Sequence, residues 1–179
     1  MRIISGLYKG RKIVAPKNLP VRPTTDMSKE ALFNILNNQY YFDDISVLDL
    51  FSGTGNISYE FASRGTENIT AVDSHYDCIK FINQTAESFE MLLQTIKSDV
   101  FKFLETNKNK YDIIFADPPY DFDKETFSKI PKLVFENQLL DEEGVLIIEH
   151  SKHTDLSDVK YFSQSKNYGG NAFSFFRYN

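Results

Sequence analysis

Val47-Leu48-Asp49-Leu50-Phe51-Ser52-Gly53-Thr54-Gly55 decides the fold class: an apolar run that ends in a glycine turn, ahead of a helical pattern over residues 56–64. Strand, tight turn and helix in that order open a βαβ unit. Gly53 and Gly55 let the backbone take torsions barred to other residues and pass close to a ligand. Helix-start amides beyond them suit an anionic or carboxylate group. A lone Gly-x-Gly fits a purely structural turn equally well, so the tie is broken by what flanks it.

Downstream, strand and helix patterns alternate. Ile69 to Asp73 is followed by a helix over 75–89, a strand at Thr95 to Lys97, a short helix from Val100, a strand from Tyr111 to Ala116 and a helix around Lys124 to Glu136. Val145 to Glu149 supplies a fifth strand. Apolar strands separated by helices predict a parallel sheet covered on both faces. Pro131 falls inside the last helical pattern and is expected to kink or split it. The tail changes character: Tyr161 to Ser165 and Ala172 to Tyr178 read as an antiparallel hairpin joined through Tyr168-Gly169-Gly170-Asn171.

Upstream, Gly6, Gly10, Pro16 and Pro20 punctuate short extended segments, a hairpin-like arm. After Arg22-Pro23, the cluster Thr24, Thr25 and Asp26 offers helix-capping oxygens, and Met27, Ala31, Leu32, Ile35 and Leu36 recur at helical spacing. The predicted organisation is a basic arm over 1–23 and one domain over 24–179.

Acids punctuate the strand ends. Asp73 closes the second strand, 24 residues beyond Asp49, where doubly wound proteins place a carboxylate against ribose hydroxyls. Asp99 follows the third strand and by itself reads as a helix cap. Ligands of open parallel sheets sit outside the carboxyl ends of strands, so these acids and Gly53 converge on one crevice. Asp49, Phe51, Gly53, Gly55, Asp73, Asp99, Val100 and Asp117 are the candidate cofactor contacts. A dinucleotide turn needs a third glycine, and Ser58 stands in that region. A carboxylate before the glycines also repels a diphosphate but suits a cationic sulfonium bearing an amino group. The expected cofactor is S-adenosylmethionine.

Asp117-Pro118-Pro119-Tyr120 is the most specific motif in the chain. Each proline holds the residue before it out of the helical region, so the loop leaves its strand extended and stiff. It presents a carboxylate, carbonyls without competing amide donors, and an aromatic face. A nucleobase amine needs this set, because its lone pair is delocalised into the ring and becomes nucleophilic only when acceptors hold its hydrogens. Asp117 and the Pro118 carbonyl are the candidate acceptors, and Tyr120 the stacking surface for a base swung out of its helix. Asp117, Pro118 and Tyr120 are therefore the candidate catalytic residues, with no metal required.

Composition bounds the rest. The chain has 179 residues, 41% hydrophobic and 25% charged, in the range of ordinary globular domains. The opening residues lack an apolar leader, and no run approaches the ~18 apolar residues of a membrane span, so the expected compartment is the cytoplasm, without membrane contact. Cys78 is the only cysteine, which excludes an internal disulfide and disfavours a thiolate metal site. Net charge is −5 but unevenly spread: residues 1–29 hold seven basic side chains and one acid, a local +6, against −11 elsewhere. A basic arm on an acidic body suits a polyanion held at one place, and equally a merely solvated terminus.

With these motifs in place, the chain resembles the RsmD-type family, bacterial small-subunit ribosomal RNA guanine-N2 methyltransferases. The likeness includes Arg2-Ile3-Ile4-Ser5-Gly6 with Lys9-Gly10, Arg22-Pro23-Thr24, Glu30-Ala31-Leu32-Phe33-Asn34, Asp49 to Gly55, Glu60 with Ser63-Arg64-Gly65, Asp117 to Tyr120, Glu149-His150 and Tyr168-Gly169. It departs at Asn56-Ile57-Ser58, where the family tends to a further glycine, and at Asp73-Ser74-His75, where the family favours Glu and another acid. The resemblance implies a seven-stranded Rossmann-like methyltransferase sheet, mostly parallel with its last strand antiparallel. It implies N2-methylguanine in 16S ribosomal RNA as product, with the small subunit or its assembly intermediate as partner; the protein itself is expected to be a monomer. It makes Arg2, Lys9, Arg11, Lys12 and Arg22 candidate phosphate contacts. The residues alone leave adenine N6 open as the target, and leave open a non-catalytic RNA-binding assembly factor. A protein-glutamine methyltransferase loop typically begins with Asn, so Asp117 disfavours that activity. His150 reads as a structural residue at a strand end.

Overall fold

The computed structural model describes residues 1–22 and 24–179; Pro23, the last residue of the predicted arm, lies outside the described residues. Five parallel strands build the sheet's body: β1 (Ser46–Leu50), β2 (Asn68–Asp73), β3 (Gln94–Lys97), β4 (Tyr111–Ala116) and β5 (Leu140–Ser151). Two more, β6 (Phe162–Tyr168) and β7 (Asn171–Phe176), form the tail hairpin, with β7 antiparallel to both β5 and β6. The strand order is β3-β2-β1-β4-β5-β7-β6, the expected Rossmann-like sheet with its last strand reversed. The helices are α1 (Asp26–Asn37), α2 (Asn56–Ser63), α3 (Tyr76–Ser88), α4 (Val100–Thr106) and α5 (Lys124–Glu136).

Both faces of the sheet's inner strands are apolar, which is why β1, β2, β4 and β7 lack the alternation of a half-exposed sheet, while the edge strands β3 and β6 stay partly open to solvent. Leu48 and Leu50 of β1, Ile114 of β4 and Ile148 of β5 face α4 and α5, where Phe103, Phe127, Ile130 and Val134 bury. Val47, Ile113, Phe115 and Ile147 face the opposite way, against Leu32, Phe33 and Leu36 of α1 and Ile57 and Phe61 of α2. Pro131 does not split α5, which is continuous from Lys124 to Glu136. Its ring is buried, and burial of apolar surface on that face offsets the missing amide bond.

The arm is docked on the body. Arg2 and Lys12 form an antiparallel bridge, and the Ile3 amide donates to the Arg11 carbonyl at 3.0 Å. Ile3 and Ile13 bury with Tyr59, Ala71 and Ile82. Glu60, fully buried in α2, ties the arm down: it accepts from the Ile4 and Ser5 amides (2.9 and 3.0 Å) and pairs with Lys29 of α1 (3.3 Å) and Arg64 (2.9 Å). Lys29 Nζ also donates to Asn56 Oδ1 at 2.8 Å and to the Arg2 carbonyl at 2.5 Å. Gly6 fits only as glycine, since a Cβ there would lie 1.9 Å from the Ser63 carbonyl oxygen.

Candidate active site

The order of strands reverses between β1 and β4, and a cavity of about 700 Å³ opens at their carboxyl ends, the position at which doubly wound sheets bind ligands. Its floor is the turn after β1. Phe51 and Gly53 both hold positive φ there, 56° and 55°, which brings the backbone across the strand ends. The Gly53 amide donates to Asp73 Oδ2 at 2.8 Å and the His75 amide to Asp73 Oδ1 at 2.9 Å, so the carboxylate ending β2 fixes the glycine turn from the side. Phe51 packs edge-on against Phe101 and Phe122, whose rings stack 6.1 Å apart, and together they make an aromatic wall.

Asp49 lies at the back of the cavity, 2% exposed, and accepts from Ser58 Oγ at 2.6 Å. Burial pushes its carboxyl up to about 7, against the pull of the Ser58 bonds and with some help from the charge of Asp73. Opposite stands the loop after β4. The Asp117 amide donates to the Leu50 carbonyl at 3.3 Å, tying the loop to β1. Burial, and then the neighbouring charge of Glu149, hold the Asp117 carboxyl well above the usual carboxylate range, while Arg22 opposes both. Glu149 of β5 is itself buried and raised by burial, and accepts from Thr24 Oγ1 (3.2 Å) and Asn171 Nδ2 (2.9 Å). Arg22 Nη2 donates to Asp117 Oδ1 at 2.9 Å, and its guanidinium carbon sits 3.1 Å from the centroid of the Tyr120 ring.

The profile of the family described as "Conserved hypothetical protein 95" matches residues 1–177, nearly the whole chain. The chain belongs to this family. A Bacillus subtilis protein named "Putative rRNA methyltransferase YlbH" is 34% identical, over 89% of this chain and 87% of its own. The Haemophilus influenzae "Ribosomal RNA small subunit methyltransferase D" is 30% identical over 87% and 81%. The solved structure of the Escherichia coli "Putative methyltransferase yhhF" superposes with a TM-score of 0.84 at 28% identity, covering 98% of this chain and 96% of that one. The RsmD-type resemblance read from the motifs is therefore the family found by comparison.

Of the cofactor candidates, Asp49, Phe51, Gly53, Asp73, Asp99, Val100 and Asp117 all line the cavity, and Pro118 with them. Gly55 acts one layer back: it caps α2 at φ 85°, and a Cβ there would meet Tyr59 Cζ at 2.7 Å. Asp99 does cap α4, accepting from the Lys102 amide at 3.0 Å, while still facing the cavity. The donor set fits S-adenosylmethionine. Carboxylates ring the back and side, an aromatic wall suits an adenine, and the buried Ser52 hydroxyl has no partner among the described residues. A cavity of this size is ample for that cofactor with part of a second reactant.

The phosphate candidates scatter. Lys9, Arg11 and Lys12 are exposed on the arm, Arg11 over the Phe89 ring. Arg2 pairs with Asp26 at 3.2 Å. Arg22 is half-exposed but committed to Asp117, and Lys29, one of the seven cations that made the N-terminal charge, is buried against Glu60. Burial depresses its ammonium despite that pairing. His150 is structural: it is buried, its Nε2 meets Ser174 Oγ at 2.7 Å and its Nδ1 the Ser151 carbonyl at 2.8 Å. Sequence reasoning missed the arm's part in the cavity, where Met1, Ile13, Val14, Ala15 and Val21 supply the outer wall. It gave no chemical role to Glu149, whose pairing partners are distant in sequence.

Proposed function

We propose that this protein methylates the exocyclic N2 amine of a guanine in 16S ribosomal RNA, within the small subunit or an assembly intermediate of it. It is an S-adenosylmethionine-dependent ribosomal RNA methyltransferase. The observation that carries the reading is the loop after β4, whose Asp117, Pro118 and Pro119 line the same cavity as the acid-ringed glycine turn, with the Tyr120 ring beside them under Arg22. Guanine, rather than adenine N6, is supported by membership of a family whose named relatives include small-subunit ribosomal RNA methyltransferases.

S-adenosylmethionine, when bound, supplies an electrophilic methyl on sulfur. The protein's residues do the rest. Asp73 would hold the ribose hydroxyls, and Asp49 the cationic end. Tyr120 stacks on the extruded base, and Asp117 with the Pro118 carbonyl holds the amine hydrogens so that the nitrogen lone pair points at the methyl. Asp117, its carboxyl raised by burial and Glu149, takes the surplus proton as the methyl moves or afterwards. Exposed Lys9, Arg11 and Lys12 hold phosphates along the arm.

Mass spectrometry of nucleosides from small-subunit RNA of cells lacking the gene tests this reading. Loss of one N2-methylguanine that returns with the wild-type gene, and not with Asp117→Ala, is the expected result; loss of a methyladenine, or no change, overturns it.

A further inference from the structure

Arg22 is out of place for a residue of a basic arm. Its guanidinium donates to Asp117 at 2.9 Å and lies against Tyr120, 3.1 Å from the ring centroid, with 39% of its side chain exposed and 18% of that of Asp117. The guanidinium comes from the arm and keeps contact with solvent, so it can leave Asp117 without unpacking the core. Its two partners are the carboxylate that receives an amine hydrogen and the ring that stacks on a base.

Guanine carries a guanidine fragment of its own. Its C2 is a planar carbon bearing three nitrogens, and N1 and the exocyclic amine present N–H donors along one edge. The arginine head is the same planar carbon with donor nitrogens, matched to carboxylates and to aromatic faces. We propose that Arg22 is an internal stand-in for the target guanine: it fills the base subsite in the free protein, and the extruded base displaces it. The proposal rests on the function proposed above and deepens it.

Displacement leaves Asp117 beside buried Glu149 without its cation. A base that offers two coplanar N–H donors restores part of that compensation. Adenine, whose Watson–Crick edge sets an acceptor beside its amine, restores less. The freed guanidinium, at the end of the arm's cationic residues, is suited to a phosphate next to the flipped nucleotide. Free nucleosides bring no phosphate chain to draw Arg22 out, so occupancy of the subsite lowers their apparent affinity by the fraction of molecules in which it is vacant.

The test is guanosine binding, by calorimetry or ligand-observed NMR, to the wild type, Arg22→Ala and Arg22→Met in the presence of S-adenosylhomocysteine. Arg22→Met keeps a long apolar chain in case the smaller residue unsettles the loop. Both variants are expected to bind guanosine about tenfold tighter than the wild type or better. Millimolar guanidinium ion is expected to compete with guanosine in the variants and to have no effect on the wild type. Equal or weaker guanosine affinity in both variants overturns the proposal, as does a gain confined to adenosine. Nucleoside analysis of small subunits methylated by the same wild-type preparation separates the two claims. Absence of N2-methylguanine removes the function beneath the proposal, whereas its presence with unaltered guanosine affinity in the variants removes only the role of Arg22.

Discussion

Cofactor affinity should depend on pH through Asp49. The group is 2% exposed with its carboxyl pushed up to about 7, and Ser58 Oγ at 2.6 Å is its one side-chain hydrogen-bond donor among the described residues. In the unliganded protein Asp49 therefore holds its proton across a window that runs from the ordinary carboxylate value of 3.8 to about 7. An amino group bound beside it favours the carboxylate, so binding releases that proton. Affinity should climb by up to about tenfold per pH unit below pH 7, or about 100-fold between roughly pH 5 and pH 7, and then level off. Calorimetry with S-adenosylhomocysteine, repeated in buffers of different ionisation enthalpy, reads both the affinity and the proton release. Asp49→Asn should abolish the slope. Ser58→Ala removes a bond to the charged form and should shift the curve to higher pH. The same group acts oppositely on folding. Because its folded pKa is raised, its contribution to stability is full below about pH 4 and is lost as pH rises to about 7, by up to about 4 kcal/mol. Affinity that is flat or falls with rising pH in the wild type would refute the assignment of Asp49 to the cationic end of the cofactor.

Lys29→Met strands Glu60 in a buried site with Arg64 as its remaining cation, and should cost about 3 kcal/mol, a drop in Tm of roughly 10 °C. Adding Glu60→Gln should recover part of it, and thermal melts of both variants check this. Gly55→Ala forces a side chain into a φ of 85° and against Tyr59, at a cost of about 2 kcal/mol or more by urea titration, while the lining of the cavity, to which Gly55 does not belong, keeps its composition. Exchanging Lys9, Arg11 and Lys12 for Gln together should weaken RNA binding and flatten the plot of log affinity against log salt by about 2 to 3, while S-adenosylhomocysteine affinity holds. Asp117→Asn keeps an acceptor oxygen but not the charge or the proton site, and should slow methyl transfer by about 100-fold or more in single-turnover assays.

The sheet was legible because its inner strands are buried on both faces and end in unmistakable turns. Tyr111 to Ala116 and Lys124 to Glu136 were bounded to the residue, since Asp117-Pro118 stops one and Asp123 caps the other. The start of β5 was hidden. Leu140 pairs with Tyr111 and the register then slips before Ile113, so Asp141, Glu142 and Glu143 look like a loop in sequence while belonging to the strand. The limit is the same at the site. Positions tied to one strand end, such as Asp49, Asp73 and Asp117, could be read from their local context. Lys29 and Arg22 could not, because summing charge along a chain treats every cation as solvated, and the burial of Lys29 depends on a glutamate 31 positions later in sequence.

That difference bears on how the arm meets RNA. With Lys29 buried, Arg22 on Asp117 and Arg2 on Asp26, the arm cations left facing solvent without an acidic partner among the described residues are Lys9, Arg11, Lys12 and Lys17. All precede Arg22 on a segment pinned to α2 by Glu60 and Ser63, and the walls at Ile13 to Ala15 already shape the cavity mouth. An arm docked in this way meets RNA as a prebuilt surface and loses little conformational entropy on binding. It fixes the distance between the phosphate contacts and the Tyr120 ring, and so selects a nucleotide by its reach from a backbone of given shape. Loosening the dock with Ser63→Ala, which removes the bond from the Tyr8 amide to Ser63 Oγ and the one from Ser63 Oγ to the Ser5 carbonyl, should therefore lower kcat/KM on small subunits more than it lowers cofactor affinity. Equal losses in both would show that the dock serves the cavity and not the RNA.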